Sequence, residues 1–165
     1  MNLSRALIDG FMMAWCFNAM IALIWLIIPN TFSYMLPSEI RKAAPKRKPK
    51  EVLILRVTLA ITYIFLITYA IISAYIDEIM GFWNLFWTAY IEMFIVNLGD
   101  FFLLDLCFRK IMKQRIMIPG TEHCESWNTK KFLLNLGLLE HWILWPFIVC
   151  PVVALLCAGI GILIR

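Results

Sequence analysis

The sequence predicts an all-α polytopic membrane protein with four transmembrane helices, both termini outside the cytoplasm and two long basic cytoplasmic loops. Three observations support this prediction: the composition, the lengths of the apolar stretches and the placement of the basic residues. The chain of 165 residues is 62% hydrophobic and only 16% charged, whereas soluble domains are about half apolar and about a quarter charged. A soluble fold of this size would leave large apolar patches in water, so much of the surface must face lipid.

Four apolar stretches are long enough to cross the hydrocarbon core, which takes roughly 20 residues per helix. They form one integral membrane domain over 1–165 and lie at about 6–28, 52–76, 82–108 and 141–164. They are continuously apolar and lack the alternating polarity that transmembrane barrel strands show, so we predict a helical bundle. The predicted loops are 29–51 and 109–140, and the second includes an interfacial helix over 131–140.

Most of the fifteen Lys and Arg residues lie in these two loops, whereas the short connection IDEIMG after the second helix has none. The positive-inside rule therefore places both long loops in the cytoplasm and both termini outside. The first loop contains the run RKAAPKRKPK. Beside a membrane span we expect this run to attract anionic lipid headgroups, at about 1 kcal/mol per basic residue, and not to bind nucleic acid.

The predicted third helix carries ionisable residues at bilayer depth. Glu92, Asn97 and Asp100 span about 140° of a helical wheel, with Asp100 in the middle of the arc. A carboxylate at this depth costs several kcal/mol unless it pairs, takes up a proton or faces water, so such residues are candidates for a functional site. We predict that these three side chains form the centre of a ligand-binding site.

Asp105 lies further along the same helix and points about 140° away from Asp100 on the wheel. It precedes Arg109 by four residues, a spacing that favours a helical ion pair. Arg56, on the neighbouring antiparallel helix, lies at a similar predicted depth. We therefore expect Asp105 to pair with Arg56 or Arg109 near the cytoplasmic boundary.

The second loop contains the turn signature Pro119-Gly120, followed by the run TEHCE. Neighbouring residues in this run point in different directions, and no spaced pair such as C-x2-C closes a chelate, so we predict no metal site. The chain has only two histidines, His123 and His141. A single haem held by one or both of them is left as an alternative, and otherwise we expect no cofactor.

Two motifs stand close together in the chain: NLGDFFLLD, from Asn97 to Asp105, and IPGTE, from Ile118 to Glu122. With this N-x-x-D-x-x-x-x-D helix and I-P-G-T-E loop, the chain resembles an uncharacterised family of small four-helix bacterial membrane proteins. The resemblance implies a cytoplasmic-side cluster of Asp100, Asp105 and Glu122, and it implies no particular reaction. We expect the protein in the cytoplasmic membrane of a bacterium or archaeon.

The function that the sequence favours is a membrane ligand-binding or sensing protein, whose polar site opens to the cytoplasm and takes a small amphipathic or cationic molecule. The alternative is a membrane enzyme that acts on a lipid-soluble substrate at the cytoplasmic interface, with carboxyls and His141 as acid and base. Further alternatives are a small proton-coupled exporter that uses Glu92, and an accessory subunit of a membrane complex or a homo-oligomer. The predicted ligand-binding residues are Arg56, Glu92, Asn97, Asp100, Asp105, Glu122 and His141.

Overall fold

The computed structural model describes residues 2–164, and this part of the chain is all-helical without strands. Two 3₁₀ turns and three π-helical segments, in which the hydrogen bonds run from residue i to i+5, connect or extend the α-helices. The 3₁₀ turns are Pro29–Met35 and Glu125–Trp127, and the π-helical segments are Asp100–Phe108, Leu133–Gly137 and Glu140–Val149. The α-helices are α1 (Leu3–Ile27), α2 (Ser38–Ala43), α3 (Pro49–Ile76), α4 (Phe82–Gly99), α5 (Arg109–Ile111), α6 (Lys113–Ile116), α7 (Thr129–Phe132) and α8 (Cys150–Leu163).

Three helices are long and apolar enough to cross a membrane: Leu3–Ile27, Pro49–Ile76 and Thr129–Leu163. These findings confirm the predicted all-helical fold and the presence of several helices that could span a membrane. The first two of these helices begin where local chemistry favours a start. The Asn2 side chain accepts a hydrogen bond from the Arg5 N–H, and Pro49 opens α3, where its missing N–H costs no helical hydrogen bond.

The last third of the chain differs from the predicted interfacial helix followed by a separate span. One continuous helix runs over Thr129–Leu163 and passes through Pro146 in a π-helical segment. The Tyr90 hydroxyl of α4 donates to the Pro146 carbonyl at 3.1 Å, the kind of contact by which neighbouring helices satisfy backbone groups near a proline. Asn135 and His141 lie within this helix, and their side chains bond to Ser126 and Asn97 in other segments.

Helix α4 carries buried polar side chains and is enclosed by its neighbours. Helix α4 packs along both α1 and α8, and its Glu92 and Asn97 are buried. Large apolar side chains instead cover the outside of the other helices, where Trp15, Ile64 and Phe147 are all highly exposed. The bundle therefore buries its ionisable groups within a mainly apolar core and exposes apolar side chains on its outside, the arrangement expected of a protein that keeps ionisable groups at bilayer depth.

Helix α1 approaches α4 closely at Gly10. A Cβ at Gly10 would lie 2.7 Å from Cδ1 of Ile95 and 3.2 Å from Cα of Glu92. We expect Gly10→Ala to lower the free energy of unfolding by about 1–3 kcal/mol, because an overpacked contact forces the two helices apart. Gly159→Ala in α8 is the matched control, since a Cβ there meets nothing within 4 Å.

Thermal unfolding of the two glycine variants in detergent micelles checks this expectation. We expect a lower midpoint for Gly10→Ala and an unchanged or higher midpoint for Gly159→Ala, because alanine is the better helix former. Equal midpoints for the two variants would contradict the close packing of α1 on α4.

Candidate functional site

A cavity of about 210 Å³ lies between α1, α3, the π-helical end of α4 and the first half of the final helix. Most of its wall is apolar and aromatic, and Phe17 and Trp145 meet edge to face in it, with ring centroids 5.9 Å apart. Trp25 also lines the cavity, and its indole N–H has no acceptor in the described part of the chain. The polar lining residues are Tyr63, Asp100, Asp105, Glu140 and His141.

The two aspartates of the third predicted span line this cavity together, although an α-helical wheel separates them. The segment Asp100–Phe108 is π-helical, and the Arg109 N–H bonds to the Leu104 carbonyl five residues before it. Because each π-helical turn takes in more residues than an α-helical turn, residues five apart lie closer to one face. The local change of helix type therefore brings Asp100 and Asp105 to the same site.

His141 joins the final helix to the helix that carries the aspartates. Its Nδ1 lies 2.7 Å from Oδ1 of Asn97, and its Nε2 lies 3.2 Å from Oδ2 of Asp105. Asn97 also donates from Nδ2 to the main-chain carbonyl of His141 at 2.9 Å. All three residues are buried, so this network connects the two helices within the bundle.

The orientation of Asn97 determines where the protons of this network lie. Since its Nδ2 donates to a carbonyl, its Oδ1 faces the ring and must accept a hydrogen from Nδ1 of His141. The other ring nitrogen, Nε2, faces the carboxyl of Asp105 at 3.2 Å. Both ring nitrogens of His141 are thus engaged with oxygen atoms of the protein.

Asp100 has no such partner. Its side chain is 9% exposed, and no hydrogen bond or ion pair joins its carboxyl to another group of the described residues. Asp105 and Glu140 are the charged groups that act on it most strongly. No Lys or Arg among residues 2–164 lines the cavity, so this wall is rich in carboxyls and carries no permanent positive charge.

The arginines predicted to pair with Asp105 lie elsewhere. Arg56 is exposed on α3. Arg109 is buried, but its Nε donates to the main-chain carbonyl of Asp105 at 3.1 Å, and its guanidinium lies 3.9 Å from the ring centroid of Phe132. The side chain paired with Asp105 is therefore His141 and not the predicted arginine, because the π-helical turn directs the carboxylate inward.

Glu122 is separated from the two aspartates that the resemblance grouped with it. It is exposed on the IPGTE loop, where Gly120 adopts a positive φ of 87° as the turn signature predicts. The Gly120 N–H donates to its carboxylate at 3.0 Å. Its own N–H and that of Gly120 hold the pKa of Glu122 below the usual value, so this residue stabilises the turn and does not line the cavity.

A carboxylate on the first loop attaches the second loop to the bundle. Glu39 of α2 accepts hydrogen bonds from the Glu125 N–H at 2.9 Å and from the Ser126 N–H at 2.9 Å. The Ser126 hydroxyl donates to the same carboxylate and in turn accepts from the Asn135 side chain of the final helix at 3.3 Å. Both loops and the final helix therefore meet at Ser126, near the mouth of the cavity.

The hydroxyl and N–H of Ser126 hold the pKa of Glu39 below its usual value. A lowered folded-state pKa means that the contact contributes stability above the unfolded-state value, about 4.3, and loses it as the pH falls through the folded-state pKa. We expect the amide of Ser126 to lose protection from hydrogen exchange in that acidic range.

At neutral pH, Glu39→Gln should release the loop and raise its rate of tryptic cleavage several-fold. Glu125→Gln is the matched control, because the Glu125 carboxylate is exposed and pairs with Lys131 and not with the bundle. Equal cleavage rates for the two variants would show that Glu39 does not hold the loop.

The residues present do not fit the haem alternative. Both ring nitrogens of His141 are bonded to Asn97 and Asp105, so neither is free to coordinate iron. His123 is exposed and lines a different depression, together with Cys124. Among the described residues, no group of three or more His, Cys, Asp or Glu side chains is arranged to hold a metal ion.

Glu140, Tyr63 and Trp25 belong to the cavity wall but were not among the predicted site residues. The sequence carried one signal for Glu140, its position next to His141 on a polar turn. A prediction of one continuous helix from Thr129 onward would place Glu140 and His141 together in the bundle. Glu92 of the predicted set is buried but does not line the cavity.

Comparisons with protein-family models, curated proteins and solved structures find no match to this chain. The resemblance noted above therefore rests on the motif residues alone. Of those residues, Asp100 and Asp105 line the cavity, Asn97 bonds to His141 behind its wall, and the IPGTE segment forms a turn in the second loop.

Proposed function

We propose that this is an integral membrane protein that binds an amphipathic molecule with a cationic head in the cavity between α1, α3 and the final helix. One observation carries the proposal: the buried Asp100 carboxyl faces a cavity with two further carboxyls, and none of the Lys and Arg residues within 2–164 lines it. A compact cation would provide the missing partner for Asp100, and the aromatic wall of Phe17, Trp25 and Trp145 suits an apolar chain. Aromatic faces also attract ammonium groups.

The ligand is proposed to enter sideways from the membrane. A groove of about 530 Å³ adjoins the cavity. The groove and the cavity share five wall residues: Met35, Leu36, Leu136, Glu140 and Leu144. The groove continues past Leu139, Ile143 and Ile148, whose apolar side chains are exposed, and reaches Arg41 on the basic loop. A molecule dissolved in the adjacent leaflet would therefore pass along apolar surface before its head meets the carboxyls.

The site opens toward the cytoplasm if the chain crosses the membrane four times, as we propose. In support, the α4 helix lies within the bundle, with its polar residues facing inward, and the π-helical segment Asp100–Phe108 extends it. Both basic loops lie at one end, joined through Glu39 and Ser126. Four spans put both termini on the same side, which is the outside if the basic loops are cytoplasmic. Three spans would put the termini on opposite sides.

Epitope tags at the two termini distinguish these topologies. We expect both tags to be cleaved by a protease added to right-side-out vesicles and both to be protected in inverted vesicles. Cleavage of one tag and protection of the other in the same vesicles would contradict four spans.

Quenching of tryptophan fluorescence tests the ligand class. The probe is a bromoalkyl trimethylammonium added to the full-length protein in nanodiscs of zwitterionic lipid, with bromoalkyl sulfate and bromoalkanol of equal chain length as comparisons. We expect saturable quenching by the cation at concentrations about tenfold or more below those of the other two probes. Trp25→Phe should lose much of this signal. Equal or tighter binding of the sulfate would refute the proposal.

The enzyme alternative has less support from the geometry. Glu122, one of the carboxyls that such an enzyme would use, lies outside the cavity, and His141 has no ring nitrogen directed at a substrate because both are hydrogen-bonded within the protein. A general base must reach the proton that it removes.

A further inference from the structure

A second buried carboxyl, that of Glu92 in α4, lies outside the cavity and is more fully buried than that of Asp100. It is 1% exposed, and neither of its oxygens has a hydrogen-bond partner in the described part of the chain. At 1.5 Å per residue it lies about 15 Å along the helix from Phe82, which is about half the thickness of a hydrocarbon core. An ionised carboxylate without partners is very costly in such surroundings.

The nearest carboxyl on α1 shows the opposite arrangement. Asp9 accepts hydrogen bonds from Nε of Arg5 at 3.1 Å and from the Tyr69 hydroxyl of α3 at 3.0 Å. The Ser73 hydroxyl donates to it as well. Asp9 is therefore satisfied as an anion, and the cation and hydroxyls nearest to Glu92 are already in use.

The remaining groups that face Glu92 offer it no positive charge. Asp9 of α1 and Asp77, which follows α3, are the charges that act on it most strongly. Tyr69 approaches from α3 and Cys157 from α8. Arg5, the one basic side chain of this region in the described chain, is bonded to Asp9 and lies 3.6 Å from Asp77.

We propose that Glu92 is a proton-binding site, neutral while α1 is packed against α4, and distinct from the ligand cavity. Its ligand is a single proton and not a metal ion, because hard cations require several oxygen ligands and no second oxygen bonds to either carboxyl oxygen of Glu92. Helix α1 covers α4 at this level, because a Cβ at Gly10 would lie 3.2 Å from Cα of Glu92.

A narrow void indicates the side from which the proton is exchanged. Ala89, one turn before Glu92, and Cys157 line a void of about 10 Å³ that extends to Tyr75 and Ile164 at the end of the bundle away from the basic loops. This volume is close to the room that one water molecule needs. The outer face is thus the shorter route to Glu92, and the ligand cavity opens toward the other end.

Infrared difference spectroscopy of the full-length protein in nanodiscs at pH 7 tests this proposal. A neutral carboxyl has a C=O stretch well separated from the carboxylate bands. We expect Glu92→Gln to lose one neutral carboxyl band relative to the parent protein, with no such loss in Glu78→Gln, the matched control at an exposed glutamate. Identical neutral-carboxyl regions for the parent and Glu92→Gln would overturn the proposal.

A second measurement applies if Glu92→Gln does not fold. Protein with ¹³C-labelled glutamate and the substitution Glu140→Gln has Glu92 as its one fully buried glutamate among residues 2–164. An isotope-shifted neutral band at pH 7 supports the proposal, and the absence of one refutes it. Neither result depends on binding of the cationic amphiphile, so this proposal and the proposed function succeed or fail separately.

Discussion

Asp100→Asn should weaken binding of the bromoalkyl trimethylammonium probe by about 30-fold or more. The substitution keeps the size of the side chain but removes the one carboxyl of the cavity that has no protein partner. Loss of one member of a buried charge pair costs about 2 kcal/mol or more, and every 1.4 kcal/mol corresponds to tenfold in affinity. Titration of tryptophan quenching in nanodiscs measures the change.

Two controls make this result specific. Glu122→Gln removes a carboxyl from the exposed loop and should leave the affinity for the cation unchanged, because Glu122 does not line the cavity. The uncharged bromoalkanol should bind parent and Asp100→Asn equally, since it lacks the group that pairs with the carboxyl. An Asp100→Asn variant that binds the cation as tightly as the parent protein would contradict the proposed function.

His141→Leu should lower the free energy of unfolding by about 3–5 kcal/mol, the largest stability effect that we expect from a single substitution. Removal of one partner of a buried pair leaves the other uncompensated, and here both Asp105 and Asn97 lose their bond to the ring. Denaturant unfolding of the variant and the parent in the same micelles measures the difference.

A double-mutant cycle separates this pairing from the loss of packing. His141→Leu combined with Asp105→Leu removes both polar partners, and such replacement of a buried pair by apolar residues is often neutral or stabilising. We expect the double variant to recover most of the lost stability. Additive effects of the two substitutions would show that His141 and Asp105 are not coupled.

These two expectations assign different roles to neighbouring residues. Asp100→Asn should cost little stability or increase it, because Asp100 has no partner to lose and lies near two other carboxyls. His141 and Asn97 instead hold two helices together. A group that is unfavourable for the empty protein and required for its ligand is the usual sign of a binding residue.

Much of the architecture followed from composition and pattern. Long apolar stretches predict membrane-type helices because the hydrocarbon core admits little else, and the structure contains three helices of this kind. Glu92, Asn97 and Asp100 were predicted as ligand-binding residues because a carboxyl at bilayer depth must pair, take up a proton or face water; all three are buried, and Asp100 alone of them lines the cavity. The Pro119-Gly120 signature likewise predicted a turn, and Gly120 has the positive φ expected.

The partners of these residues followed from contacts between segments far apart in the chain. A wheel with a constant angle per residue separated Asp100 from Asp105, whereas the π-helical segment brings them together. His141 and Asp105 lie 36 residues apart in the chain, and no local pattern predicts that they pair. Composition and periodicity thus specify that polar groups lie inside the bundle, because burial is a property of each residue. Which groups meet depends on helix type and packing, which only the folded chain defines.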